Sequence, residues 1–162
     1  MTLPPRSVLL GLGAGLVLVV ALVSGLSRDD DDPAVLIRAA LDRAAAAAEA
    51  RDVGGVMAVI SESFATPELS HDDVRRALFV RLRQDQGWRK VVLTDVDIRV
   101  DDGGARAKVT LRALLAKGQS KDGTWRDLAP SDATVYDFDL VFRREGDDWR
   151  ITEALYTRAK WP

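Results

Sequence analysis

The chain contains no cysteine, no asparagine and only one histidine among its 162 residues. Without cysteine there is no disulfide framework, no thiolate metal site and no lipid anchor attached through a cysteine sulfur. A lone histidine, His71, excludes a histidine-rich metal centre, and neither a metal nor a cofactor is expected. An excess of one charge is missing too: 23 Lys and Arg stand against 25 Asp and Glu. All of those basic residues except Arg6 lie beyond residue 27, and they form no basic face. Nucleic acid is therefore excluded as a partner. No internal repeat is visible. Abundant alanine, arginine in place of lysine, and the missing asparagine fit a GC-rich bacterial genome.

What the chain does have, at its start, is one uncharged apolar run. Residues 7–27 read SVLLGLGAGLVLVVALVSGLS. A helix needs roughly 20 such residues to cross the hydrocarbon core of a bilayer. Arg6 and the amino terminus precede the run; Arg28 and four aspartates follow it. That asymmetry predicts an amino terminus inside the cell. The expected layout is a cytoplasmic tail (1–6), a transmembrane signal-anchor (7–27), an acidic linker (28–32) and one domain (33–160). The domain would lie outside the cytoplasmic membrane, in the periplasm of a cell with two membranes. The competing reading is a cleaved signal peptide. Ser24, Gly25 and Ser27 are small enough, but no Ala-x-Ala closes the run, and its core exceeds the roughly 7–15 residues usual for a signal peptide.

Beyond the linker, Asp32-Pro33 has the form of an N-cap followed by proline at the first helical position. An alanine-rich helix is expected to Arg51, with Ile37, Leu41, Ala44 and Ala48 in one stripe. Asp52 is placed to cap a second helix through Val56, Val59, Ile60 and Phe64, weakened by Gly54 and Gly55. After Thr66-Pro67, Ser70 and Asp73 make a capping box for a third helix. It carries Val74, Leu78 and Leu82 on one face, with Phe79 beside them, and Gly87 as its stop. The period then changes from helix to strand. Val92, Thr94, Val96, Ile98 and Val100 alternate with Leu93, Asp95, Asp97 and Arg99, and Asp102-Gly103-Gly104 turns into a second strand carrying Ala107, Val109 and Leu111. A polar loop with Trp125 and Pro130 leads to a third strand (Tyr136, Phe138, Leu140, Phe142). Gly146-Asp147-Asp148 turns into a fourth (Trp149, Ile151, Leu155). This predicts an α+β domain, three helices packed on one apolar face of a four-stranded antiparallel meander. The other face is predicted to carry Asp95, Asp97, Arg99, Arg106, Lys108, Arg112, Asp137, Asp139 and Arg150.

The segments AEARDVGGVMAVISESF, LSHDDVRRALFVRLR and DFDLVFRREGDDWRITEALY, in this order, resemble the NTF2-like (SnoaL-like) superfamily. The Gly-Asp turn before Trp-x-Ile is the most specific part. The resemblance spans about residues 33–158 and implies a cone, a curved sheet wrapped around helices, with a pocket at its open end. It implies little about activity, since one fold serves many functions.

Three functions follow as expectations. The first is a non-catalytic interaction or scaffold module of the cell envelope, docking an envelope protein through Trp125. The second is a carrier or sensor that binds a small ligand in the cone, with Tyr136, Phe138, Glu153 and Phe79 as contacts. The third is an isomerase, dehydratase or hydrolase using Glu153 with Tyr136. Regular alternation with Trp149 and Ile151 points Glu153 inward, where an apolar setting would raise its pKa and suit it to acid-base work. A bulge near Thr152 would instead release it to solvent. Asp137 and Asp139 share a strand face but read as part of a solvated charge ladder with Arg106, Lys108 and Arg112. His71 is expected to be solvent-exposed in the first turn of its helix. A homodimer through the sheet is a further possibility, polar and salt-sensitive because the outer face is charged.

Overall fold

The computed structural model describes residues 31–84, 88–117 and 133–160. The apolar run at 7–27, Trp125 and Gly87 lie outside them. Among the described residues no helix is long and apolar enough to cross a membrane.

Helix α1 (Pro33–Glu49) begins where its cap predicts: the Asp32 carboxylate accepts from the Ala34 N–H at 2.9 Å, and Pro33 occupies the first turn. Its stripe is buried at Ile37, Ala40, Leu41 and Ala48. The helix closes in a double hydrogen-bonded turn, Arg51 N–H to the Ala48 carbonyl (3.1 Å) and Asp52 N–H to that of Ala47 (2.8 Å). This turn needs a left-handed residue after the cap, normally glycine. Here Arg51 takes it, at φ 60°.

Helix α2 (Val53–Met57) is much shorter than its sequence suggests, and Asp52 makes no side-chain cap bond to it. Beyond Met57 the backbone is claimed by the sheet. Ser61 N–H donates to the Ile151 carbonyl (2.9 Å), and Ile151 N–H donates to that of Val59 (2.9 Å). Val59 and Phe64 are still buried, but from an irregular segment rather than a helical face. Gly55 is where α2 meets α1: a Cβ there would stand 2.8 Å from the Ala47 Cβ.

Helix α3 (His71–Phe79) has the expected capping box, and a π-helical turn (Val80–Gln84) extends it. No α3 residue is fully buried; the anchor of this arm is Leu82, at 0% exposure.

Strands β1 (Lys90–Val100), β2 (Arg106–Ala116), β3 (Ala133–Glu145) and β4 (Asp148–Arg158) pair in the order β1-β2-β3-β4, all antiparallel. Ala107, Val109, Leu111, Leu140, Phe142 and Trp149 form the core with Ile37 and Leu41 of α1. Both edge strands are bulged. In β1 the register slips between Thr94 and Asp97, where Asp95 adopts φ 52°. Aspartate tolerates that left-handed conformation better than most residues. The inward residues are therefore Val91 and Leu93 before the bulge and Val96, Ile98 and Val100 after it. The single phase expected through Val92 and Thr94 is corrected accordingly. In β4, Val141 faces Glu153 while Phe142 faces Ile151, leaving Thr152 as the extra residue. Bulges bend and twist the strand that carries them, which curves the sheet around α1.

The opposite face is not charged throughout. Leu114, Ala116, Ala133 and Val135 form a second buried cluster there, joined by Val92 and Ala159. Elsewhere that face carries its charges as expected: Arg112 grips Asp137 through two hydrogen bonds, 2.8 and 3.3 Å.

Two substitutions test these turns. Arg51→Gly is expected to raise stability, because the left-handed conformation costs a non-glycine residue about 1–2 kcal/mol, more than the entropy glycine loses. Gly55→Ala is expected to lower it by about 1–3 kcal/mol through overpacking against Ala47, despite alanine's better helix propensity. Urea denaturation of both variants measures the two signs; a destabilised Arg51→Gly or a stabilised Gly55→Ala contradicts the turn geometry.

Candidate functional site

Between the concave face of the sheet and the helices lies an open cavity of about 410 Å³. Small side chains make the room. Ala44, Ala45 and Ala48 of α1 face Ala113 of β2 across it, where larger residues would close the gap. Leu111, Phe138, Leu140 and Ile151 are among the residues of the sheet side, and Val74, Ala77 and Leu78 of α3 line the cavity as well. Val74, Leu78 and Arg81 recur at helical spacing, so the wall continues through the π-helical turn to Arg81.

Tyr136, Phe138 and Tyr156 stand together in this lining, their ring centroids 5.8–6.1 Å apart in tilted and edge-on arrangements. Such offsets suit the ring quadrupoles. Tyr156 is 56% exposed and so marks the rim. Arg81, Trp88, Tyr136 and Tyr156 are the lining residues with polar side-chain atoms; among the described residues no carboxylate and no imidazole lines the cavity. Nor does any cluster of three or more histidine, aspartate or glutamate side chains come together there or elsewhere among them to hold a metal ion.

Of the residues expected to contact a ligand, Tyr136 and Phe138 line the cavity and two do not. Phe79 is 50% exposed on the outer side of α3, because Val74 and Leu78 take the inward face. Glu153 is exposed as well. The β4 bulge is the reason. Thr152 is buried and donates from its hydroxyl to the Val141 carbonyl (3.3 Å), which shifts the phase of every later residue. Ala154 and Tyr156 become inward, while Glu153 and Leu155 turn out, Leu155 to 65% exposure. The bulge also brings Tyr156 to the rim, which strict alternation on β4 hides. Arg81 was legible in the spacing of Val74 and Leu78, three and four residues apart on one face. Trp88 carries no such signal.

Asp137 and Asp139 stay on the outer face. The Arg112 hydrogen bond holds the Asp137 carboxyl below its ordinary range, and Asp137 in turn raises Arg112. The pair is a surface ion pair, as the charge-ladder reading expects. His71 is less exposed than expected, its side chain at 16% exposure with Nδ1 3.7 Å from Asp72. The Ser70 hydrogen bonds (2.6 Å from Oγ, 3.0 Å from the backbone N–H) lower the pKa of Asp73.

No protein-family model matches the chain, and no curated protein matches it. Solved structures do share its architecture. A candidate dehydratase of the NTF2-like family from Streptomyces avermitilis superposes with a TM-score of 0.58 at 18% identity, over 80% of this chain and 97% of its own. An NTF2-like protein from Cytophaga hutchinsonii gives 0.55 at 16% identity, over 76% and 95%. Bd1075 of Bdellovibrio bacteriovorus gives 0.55 at 12% identity over 74% of this chain, which spans only 39% of that protein. The domain therefore has the NTF2-like fold. At these identities the likeness extends to fold alone.

Ser70→Ala is expected to cost about 0.5–2 kcal/mol, the usual loss of an N-cap, and to loosen the α3 wall. The folded pKa of Asp73 is lowered, so its stabilisation is present above the unfolded pKa and lost as pH falls through the folded one. Ser70→Ala should accordingly flatten the acid limb of a stability–pH profile. Glu153→Gln should leave stability within about 0.5 kcal/mol, as for an isolated surface change. A larger loss in thermal unfolding would place Glu153 inside the cone.

Proposed function

We propose that this chain is a membrane-anchored binding protein for a small, largely apolar ligand held in the cone. The observation that carries the reading is the cavity of about 410 Å³, within the roughly 300–1,000 Å³ usual for ligand sites and walled by apolar side chains. Ligand sites of this kind combine a hydrophobic lining with a few polar groups that fix orientation. Tyr136 and Tyr156, with Arg81 and Trp88, supply those here.

Carriage or sensing suits this lining better than acid-base catalysis. A general acid or base must reach the reacting atom within hydrogen-bond distance. Glu153, the carboxylate proposed for that role from the sequence, faces solvent on the far side of β4. The scaffold reading draws on the anchor, on the lack of an inward catalytic set and on Trp125; the first and last lie outside the described residues, and the cavity favours a ligand. The apolar run at 7–27 would hold the domain at the outer face of the cytoplasmic membrane.

The test uses N-phenylnaphthylamine, an uncharged apolar fluorophore, with the full chain in a non-ionic amphipol. One saturable site is expected. Ala113→Phe, which fills the cavity from the sheet, should weaken binding at least tenfold. Leu78→Trp, which fills it from the loosely packed α3 wall and tolerates a larger side chain more easily, should do the same. Unsaturable fluorescence, or equal affinity in both folded variants, overturns the reading. For the anchor, alkaline carbonate washing should leave the intact chain in the membrane fraction. A shortened chain released to the soluble fraction would show cleavage instead.

A further inference from the structure

The apolar cavity does not end at its own rim. A second depression of about 300 Å³ adjoins it, and the two share Arg81, Trp88, Leu115 and Tyr136 in their linings. The second is walled differently: Lys117 and Arg158 join Arg81 there, and no described acidic residue does. Three elements converge to place these cations. Arg81 comes from the turn that extends α3, Lys117 follows the last residue of β2, and Arg158 ends β4 directly opposite Tyr136 on β3.

Elsewhere on the sheet some cations are paired, Arg99 with Asp97, Arg112 with Asp137 and Arg150 with Asp148, while others, such as Lys108 and Arg143, form no ion pair among the described residues. Lys117 and Arg158 form no ion pair among the described residues. Lys117 and Arg158 thus stand at the mouth of the apolar chamber with Arg81 beside them and no carboxylate among the described lining residues, an arrangement that favours an anion there.

We infer that the ligand is an amphiphile with a single apolar body and one anionic group, the body in the cavity and the anion among Arg81, Lys117 and Arg158. The inference rests on the binding reading above and adds the chemical class of what is bound. Its physical basis is the division of labour between the two depressions. Burying an anion in the apolar chamber would strip its hydration with no partner to replace it. At the rim the anion keeps part of its water and gains cationic partners, while the apolar body leaves water entirely. A chamber of about 410 Å³ is sized for one chain or ring system, not for the paired chains of a bilayer lipid.

The test compares anilinonaphthalene sulfonate with its uncharged parent N-phenylnaphthylamine, two probes with one apolar body that differ in the anionic group. Both are titrated into the full chain in a non-ionic amphipol. The sulfonate is expected to bind at least tenfold tighter in about 20 mM salt, and the ratio should shrink toward one in about 500 mM salt as screening grows. In the double variant Lys117→Gln/Arg158→Gln the ratio should fall toward one at low salt as well. A wild-type ratio near one, with the uncharged probe still displaced by Ala113→Phe, overturns the anionic ligand and leaves the pocket reading standing. A high ratio that the double variant does not change also overturns it, because the anion then sits elsewhere. If the uncharged probe itself fails to saturate, or ignores both cavity-filling variants, the pocket reading fails and this inference falls with it.

Discussion

Each edge strand of the sheet carries one residue more than its neighbour can pair, and the shape of the domain depends on those two insertions. At Asp95–Val96 and at Thr152 the ladder must bulge, and a bulge bends its strand and strengthens its twist. With β2 and β3 regular between two bent edges, the sheet curves around α1 and leaves a concave face. The edges are also the strands most exposed to mispairing. Here β4 is engaged by the backbone of Val59, Ser61 and Ala65, and the Val91 N–H of β1 donates to the Glu49 carboxylate at 2.8 Å.

Curvature alone would yield a packed interior. The cavity exists because alanines occupy the positions where α1 and β2 face each other, and because α3 crosses the open end with no fully buried residue of its own. A well-packed core approaches crystal density and leaves few voids. That density is reached farther along the sheet, where Phe142, Val109 and Ile37 are almost fully enclosed. The domain is therefore solid at one end and hollow at the other. The polar residues of the cavity lining, Arg81, Trp88, Tyr136 and Tyr156, include the exposed Tyr156 at its rim.

Much of this architecture was legible in local signals. The Asp32 cap, the Ser70–Asp73 capping box and the turns at Asp102-Gly103-Gly104 and Gly146-Asp147 each state a hydrogen-bonding requirement that a few neighbouring residues satisfy. They were read correctly because short-range geometry decides them. The second helix was not, because Val59 and Ser61 bond to Ile151 across the fold, and a helical period in the sequence cannot reveal a competing partner ninety residues away. The candidate site divided on the same principle. Tyr136 and Phe138 lie on a regular strand, where alternation alone puts them inward; for Glu153 alternation pointed inward and a bulge near Thr152 pointed to solvent, and the register of β4 against β3 decides for the bulge.

Sequence by itself determined the apolar run, the lack of any thiol or histidine cluster, the helix starts and the alternating strands, because each depends on residue type and close spacing. Tertiary structure decided the phase of β1 and β4, the side of the sheet on which Glu153 lies, the joining of Arg81, Lys117 and Arg158 at one rim, and the cavity itself. Those are matters of register between distant segments. A slip of one residue inverts every side chain beyond it, and no pattern within a single strand records where its neighbour forces that slip.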